Sequence, residues 1–357
     1  MPKVSIIVAN YNNSRYLGEC LISLQQQTFQ DYEVLVFDDA STDNSDELIQ
    51  TFTSKDKRFK LIALPENKGV AYLRSISLNY CLGDYVAILD ADDYSEKRRL
   101  ERQVSVLDAE PDTVLVGGFY AIIDENGKLI SKQKTIATTD LELRWGMSTG
   151  NSFVHSTVMF RKSAALAADG YNANMLCAED MDFYSRIMLQ GKLRAIPHVL
   201  SYWRTHAISY SQQKHEAIIK GTYTVLRQTA ARLLNKNISL FEAAALFHNT
   251  MQAADSASSL LVALDILLAY RNLYWEKASS DRERGILLRC HLQSLLRIRK
   301  RNRKLAWYPQ VLNQINGAIS EIIRNQGYAW FIDSKLKIST RNWFYLCGHS
   351  IKQLLRI

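Results

Sequence analysis

Residues Tyr85 to Asp93 read YVAILDADD, an apolar run that ends in three carboxylates within four positions. The run is strand-like and apolar enough to be buried on both faces. Residues i and i+2 of a strand point the same way, so Asp90 and Asp92 could project together from its end. Two hard oxygen ligands there suit a divalent cation such as Mg²⁺ or Mn²⁺. In an open parallel sheet, ligands bind beyond the carboxyl ends of the strands, which is where this pair would stand. Taken alone, the same residues also read as a strand that stops in an acidic turn.

Four further constellations can be read chemically. Ala9-Asn10-Tyr11-Asn12 closes the first apolar run; a polar loop with one aromatic could stack a nucleobase, or it is a plain strand-to-helix turn capped by Asn. FDDASTDNS (37–45) places Asp38 and Asp39 just past a second run, where a carboxylate could accept a base N–H or a ribose hydroxyl. Capping explains Ser41 to Ser45 but does not need both acids. Asn67-Lys68-Gly69 precedes Arg74, a cation about one and a half turns into a helix, where a solvated arginine is the competing reading. Ala178-Glu179-Asp180-Met181-Asp182 opens an amphipathic segment. Acids are favoured at a helix N-terminus by the dipole, which would also lower their pKa. An ionised carboxylate there suits a general base.

These residues need elements to position them, and the front half supplies a regular alternation. Strands are expected at 4–8, 33–37, 60–64 and 85–89, with helices at 14–27, 45–53 and 70–81 between them. The βαβαβαβ order argues for an α/β fold, a mostly parallel Rossmann-like sheet with helices on both faces. After Asp93 the rhythm changes. A long strand at 114–123 runs into Asp124-Glu125-Asn126-Gly127, whose Asn-Gly pair signals a hairpin. A strand at 156–160, a helix at 179–189 and an extended stretch at 191–202 follow. From about residue 212 only helices are expected, near 212–234, 240–255, 258–277, 282–302, 308–325 and 342–356. Ser239 and Glu242 form a capping-box pattern at one of the starts. The domain boundary is placed between Ser209 and Gln213, giving regions 1–211 and 212–357.

Composition bounds the class. The chain has 357 residues, 47% hydrophobic and 22% charged, enough for a sizeable core. Five dispersed cysteines without a CxxC pair argue against a disulfide framework or zinc site and fit a reducing cytosol. The N-terminal apolar stretch is short and reads as a first strand, and no run of 18 apolar residues suggests a membrane span. The net charge of +8 is unevenly spread. Residues 211–357 hold 22 Lys+Arg against 9 Asp+Glu, and residues 1–210 hold 22 against 27. An acidic front half and a basic back half imply two modules with different jobs.

In order and placement these blocks resemble the family 2 glycosyltransferases of GT-A fold. The resemblance covers about residues 3–210: VSIIVANYNN, SLQQQTFQDYEVLVFDDASTDNS, NKGVAYLRS, GDYVAILDADD, HSTVMFRKS, AEDMDFYSRI and YWRTH. It implies a nucleotide-diphosphate-sugar donor, a UDP-sugar foremost, with Ala9, Tyr11 and Asp39 holding the base and Arg74 and Asp90 facing the nucleotide. It further implies a divalent metal on Asp92, Asp180 as the base, and Arg204 and His206 near the diphosphate or the metal, His206 as a ligand. Many relatives carry proline at Ala9 and asparagine at Ser75; neither position supplies an essential charge. The implied reaction is inverting transfer to a glycan or lipid-linked acceptor in bacterial surface-polysaccharide synthesis.

The back half lies outside the resemblance. Arg297 to Lys304 form a basic run beside Trp307 and Tyr308, and Trp343, Phe344 and Tyr345 precede Lys352 and Arg356. Such a pattern is consistent with an anionic bilayer surface, hence a cytoplasmic protein peripheral at the inner face of the cell membrane. A solvated face or a homo-oligomer contact explains it as well. Nucleic acid is set aside, since the basic run comes with no recognised motif and the acidic front half repels phosphate. A non-catalytic nucleotide-sugar scaffold is opposed by the intact carboxylates. A sugar nucleotidyltransferase is opposed by Asn10-Tyr11-Asn12-Asn13, where such enzymes carry a glycine-rich loop.

Overall fold

The computed structural model describes residues 1–133, 137–207, 209–248, 257–301 and 309–326. The chain divides into two compact units, Met1–Arg232 and Leu233–Ile357. In the first, β1 (Val4–Asn10), α1 (Ser14–Gln25), β2 (Tyr32–Asp38), α2 (Ser45–Thr53), β3 (Phe59–Ala63), α3 (Val70–Ser77) and β4 (Tyr85–Asp90) alternate as expected. The strands β1, β2 and β4 are almost wholly buried, which is why their sequences run apolar without alternation. Tyr16, Leu17, Cys20, Leu21 and Leu24 recur at helical spacing, so α1 buries one stripe against the sheet. The helix α3 ends at Ser77, short of the Cys81 end that its pattern predicts.

The sheet is mixed: its long ladders are parallel, as expected, and short antiparallel ones are added to them. Its order is β3-β2-β1-β4-β8-β6-β9-β5, with β7 beside β6. Strands β1 to β4 pair in parallel, and β8 (Met159–Arg161) then runs antiparallel to both β4 and β6 (Thr113–Ile123). The β9 strand (Lys192–Arg204) lies parallel to β6 and antiparallel to β5 (Tyr94–Ser95). The hairpin of β6 and β7 (Leu129–Gln133) forms where the Asn-Gly pair predicts it. Gly127 takes a positive φ of 79°, and the Asn126 and Lys128 N–H groups both donate to Asp124 Oδ1 at 2.9 Å. The strand expected at 156–160 is shorter: His155–Thr157 forms a single 3-10 turn before β8. Helices α4 (Arg99–Ala109), α5 (Asp140–Thr149) and α6 (Lys162–Ala167) add to those expected, α7 (Glu179–Ile187) opens at the Glu-Asp pair, and α8 (Tyr210–Gln213) follows β9.

The helix α9 (His215–Leu234) belongs almost wholly to the first unit. Arg232 Nη1 donates to Ser185 Oγ at 2.9 Å, and a Cβ on Gly221 would lie 2.6 Å from the Cys177 carbonyl oxygen. The division therefore falls one helix later than residues 209–213. The second unit comprises α10 (Leu240–His248), α11 (Ala257–Lys277), α12 (Asp281–Arg301) and α13 (Pro309–Gln326), with α11 packed on the other three. The capping box at α10 is formed: Ser239 N–H donates to Glu242 Oε2 at 2.6 Å and Glu242 N–H to Ser239 Oγ at 3.2 Å. Among the described residues no helix is long and apolar enough to cross a membrane. The helix expected at 342–356, the aromatics Trp307, Tyr308 and Trp343 to Tyr345, and the basic residues Arg303, Lys304, Lys352 and Arg356 lie outside the described residues.

Candidate active site

Register places the candidate residues on one edge. Ala9 pairs with Phe37 on one side and Asp90 on the other, and Asn10 pairs with Asp38, so the ends of β1, β2 and β4 are level. Asp39 is buried, and its two oxygens accept the N–H groups of Lys68 (2.8 Å) and Gly69 (2.7 Å). It thus fixes the entry to α3, the helix that carries Arg74. Asp38 accepts Asn10 Nδ2 at 2.7 Å, Ser41 Oγ at 2.6 Å and Ser41 N–H at 2.9 Å. Asp43 takes Ser14 N–H on one oxygen and Ser45 N–H on the other. The polar residues of 37–45 therefore lace two loops together as well as starting a helix. Tyr11 stays 47% exposed beside that lacing, where a ring can meet a planar ligand.

Behind the edge lies a charge cluster in which Arg74 and Glu179 are buried and Asp90 is partly exposed. Arg74 donates through Nη2 to Asp90 Oδ1 at 2.7 Å and through Nη1 to Glu179 Oε1, joining α3, β4 and α7. Burial opposes the guanidinium charge, but Glu179 and Asp90 outweigh it and hold the Arg74 pKa above its ordinary value. Burial raises Asp90, against the attraction of Arg74 and with the repulsion of Asp92. Burial likewise raises Glu179 to about 7.

The loop after β4 meets the end of β9. His206 Nε2 lies 3.0 Å from Asp92 Oδ2, and both belong to the site the sequence implies. Arg204 is committed elsewhere. Its side chain is 1% exposed, Nε donates to the Asp92 carbonyl at 2.8 Å, Nη1 reaches the carbonyls of Asp124 and Glu125, and Nη2 pairs with Glu19. It ties together the loop that bears the proposed ligands. Asp93, the third acid of the motif, accepts Arg204 N–H at 2.8 Å and the Ser156 hydroxyl, while Asp90 N–H donates to Ser156 Oγ at 3.1 Å. A carboxylate and an imidazole converging on one point form a fitting pair of donors for Mg²⁺ or Mn²⁺, leaving positions for phosphate oxygens and water. Among the described residues no cluster of three or more His, Cys, Asp or Glu side chains is placed to hold a metal, so the fit rests on this pair.

Asp180 stands in the first turn of α7, next to Glu179. Its Oδ1 accepts Met181 N–H at 2.7 Å, and Asn151 Nδ2 donates to Oδ2 at 3.3 Å. The dipole argument predicts a lowered pKa; burial wins instead and raises it, against the attraction of Arg74. A raised pKa makes a stronger base once ionised. Ala178, just before the helix, adopts φ 61°, and Asn12 and Ala40 beside Tyr11 and Asp39 are also left-handed. Such conformations cost free energy in residues with a side chain and cluster where function constrains the backbone. Leu176 projects 79% exposed from the loop that leads to Asp180. The reading of the sequence missed the roles of Glu179, Asp93, Ser156 and Glu19. Adjacency to assigned acids could have flagged the first two, whereas Glu19 carries no signal.

A family model described as glycosyl transferase family 2 matches residues 5–166. The putative glycosyltransferase EpsE of Bacillus subtilis is 34% identical over 198 residues, covering 53% of this chain and 68% of its own length. The chain belongs to glycosyltransferase family 2. An uncharacterized glycosyltransferase of Haemophilus influenzae is 35% identical over 165 residues, 46% of this family 2 chain and 64% of that relative, so the chain spans just under two-thirds of its length. The amylovoran biosynthesis glycosyltransferase AmsE of Erwinia amylovora is 27% identical, over 66% of this chain and 96% of its own. Among solved structures, S. aureus TarS in complex with UDP-GlcNAc superimposes with a TM-score of 0.56 at 20% identity, over 91% of this chain and 93% of that one. That likeness establishes the GT-A-like α/β fold.

Proposed function

We propose that the protein is an inverting glycosyltransferase. It moves a sugar from a nucleotide-diphosphate donor, a UDP-sugar, to the hydroxyl of a glycan or lipid-linked acceptor. The observation that carries this reading is the gathering of Asp90, Asp180 and Glu179 around Arg74, next to the Asp92–His206 pair, at the carboxyl ends of parallel strands. The amylovoran biosynthesis enzyme AmsE supports a polysaccharide setting, and the TarS complex with UDP-GlcNAc supports a UDP-sugar.

In this reading the nucleoside lies against Ala9, Tyr11, Asp39 and Asp90. Mg²⁺ or Mn²⁺ held by Asp92 and His206 would neutralise charge on the departing nucleoside diphosphate. Asp180 accepts the proton of the acceptor hydroxyl while the oxygen of that hydroxyl bonds to the anomeric carbon. The bond from that carbon to the diphosphate breaks with its electron pair leaving on the diphosphate, and a single displacement inverts the centre. Arg204 and Asp93 keep the Asp92 loop in place. We expect Asp180→Asn to lower transfer by about a hundredfold or more, as loss of a general base does, with UDP still raising the melting temperature. Near-normal turnover in that variant would remove the base assignment; intact UDP binding with no turnover in the parent, against a panel of nucleotide sugars, would leave a non-catalytic scaffold. The second unit is proposed to contact acceptor, an anionic membrane surface or a second copy of the chain.

A further inference from the structure

We infer that Arg74 acts as a positioning residue for the base and not as a ligand of the donor: through Glu179 it clamps the start of α7 to the end of β4, and so sets where Asp180 stands. This rests on the assignment of Asp180 as the base.

Three observations converge on the clamp. The first is commitment. Arg74 is 8% exposed in its side chain and Glu179 6%, and each terminal nitrogen of the guanidinium already faces a carboxylate. Its Nε is enclosed and meets no acceptor among the described residues. A planar fork holding two carboxylates from two elements is what arginine provides and lysine does not.

The second is need. Among the described residues no side chain caps α7, and the residue before it, Ala178, sits at φ 61°. A helix usually begins on a side-chain oxygen that satisfies its first N–H groups. This one begins on a strained alanine, and its first turn is joined to the sheet by the Glu179–Arg74–Asp90 bonds. Glu179 is the first residue of that turn and Asp180 the second, and Asp180 Oδ1 is bonded to the N–H of the third, Met181. Moving the Glu179 anchor moves the base with it.

The third is charge. Arg74 faces Asp90, Glu179 and Asp180, while Arg99 acts on Asp90 and His155 from behind the strand and Asp92 repels Asp90. From the turn before β8, His155 packs nearby as a neutral ring, its pKa held well below the ordinary value by burial and by Arg74. The hydroxyls of Tyr171 and Tyr184 close the cluster; burial keeps both phenols protonated. Without the guanidinium, the acids would repel one another across the gap between β4 and α7.

The test compares Arg74→Lys, Glu179→Gln and the double variant with the parent. UDP affinity is measured by calorimetry with Mn²⁺, and turnover by hydrolysis of the best UDP-sugar from a panel. Displacing a reacting group by about 1 Å costs about a hundredfold in rate, so each single variant should lose kcat on that scale and keep UDP affinity within about threefold. Because the two residues act as one unit, the double variant should be no worse than the worse single. Weakened UDP binding in Arg74→Lys with kcat unchanged, or parent-like kcat in Glu179→Gln, overturns the clamp. Should Arg74→Lys not fold, Glu179→Gln decides alone, since glutamine removes the charge that Arg74 grips while keeping the size of the side chain. Asp180→Asn runs alongside. If it turns over normally the base assignment itself fails; if it is dead while Arg74→Lys loses only UDP affinity, the clamp alone fails.

Discussion

At the scale of single residues, burial and charge compete around Arg74, and the outcome has a pH signature. Glu179 titrates at about 7 in the folded chain against an ordinary value of 4.5. Between those values the native state keeps a proton that the unfolded chain releases, so this group's contribution to stability falls as pH rises from 4.5 to about 7. Glutamine at 179 does not titrate. The melting temperature of Glu179→Gln should therefore gain on that of the parent across the window, as differential scanning calorimetry at several pH values would show. A constant difference would mean that Glu179 stays ionised throughout. Asp180 is raised as well, so the acid limb of turnover should lie above the usual carboxylate range. The candidate acids were legible one by one, because each ends an apolar run or opens a helix. Their environment was not: the partner of Arg204 is Glu19, on α1, and nothing in the spacing of either residue announces the other.

At the scale of elements, the parallel β1–β4 run and the β6–β7 hairpin were legible, and the order in which β8, β9 and β5 join the sheet was not. Buried strands between amphipathic helices leave a local imprint, and short crossovers leave little choice of neighbour. The β8 strand has three residues and pairs with β4 and β6 through contacts remote in sequence, so the local pattern marks an extended stretch at 156–160 but not its neighbours. The antiparallel turn nonetheless supplies the site, because the 3-10 residue Ser156 bonds both Asp90 and Asp93. Packing at the opposite edge yields a sharper test. A Cβ on Gly83 would lie 2.6 Å from Ser5 N, 2.7 Å from Val4 C and 2.9 Å from Lys3 O. Those are backbone atoms of β1 and its approach, which cannot swing aside. Gly83→Ala should destabilise the first unit by about 1–3 kcal/mol, the usual cost of overpacking, read as a lower midpoint in chemical denaturation. An unchanged midpoint would show that the β1–β4 junction has slack.

At the scale of the molecule, the two units invite separation. A chain ending at residue 234 keeps α9 and its contacts to Ser185 and Cys177, whereas one ending at 211 loses them. The longer fragment should fold and bind UDP; the shorter should melt at a lower temperature or aggregate. Equal stability of the two would detach α9 from the first unit. The basic balance of 211–357 suggested a surface role, which this pair of chains also tests: the full chain should sediment with anionic vesicles but not with neutral ones, and the 1–234 fragment with neither.

The two sides of the cleft are built differently. The side proposed to hold the nucleotide rests on level strand ends whose backbone cannot shift without disturbing the sheet. The opposite side ends in the loops of Asn151 and Leu176, whose exposed side chains carry little of the packing. Sequence change can accumulate in those loops at small cost to folding. If the proposed reading holds, substitutions at positions 151 and 176 should change which acceptors are used while leaving the choice of donor as it is.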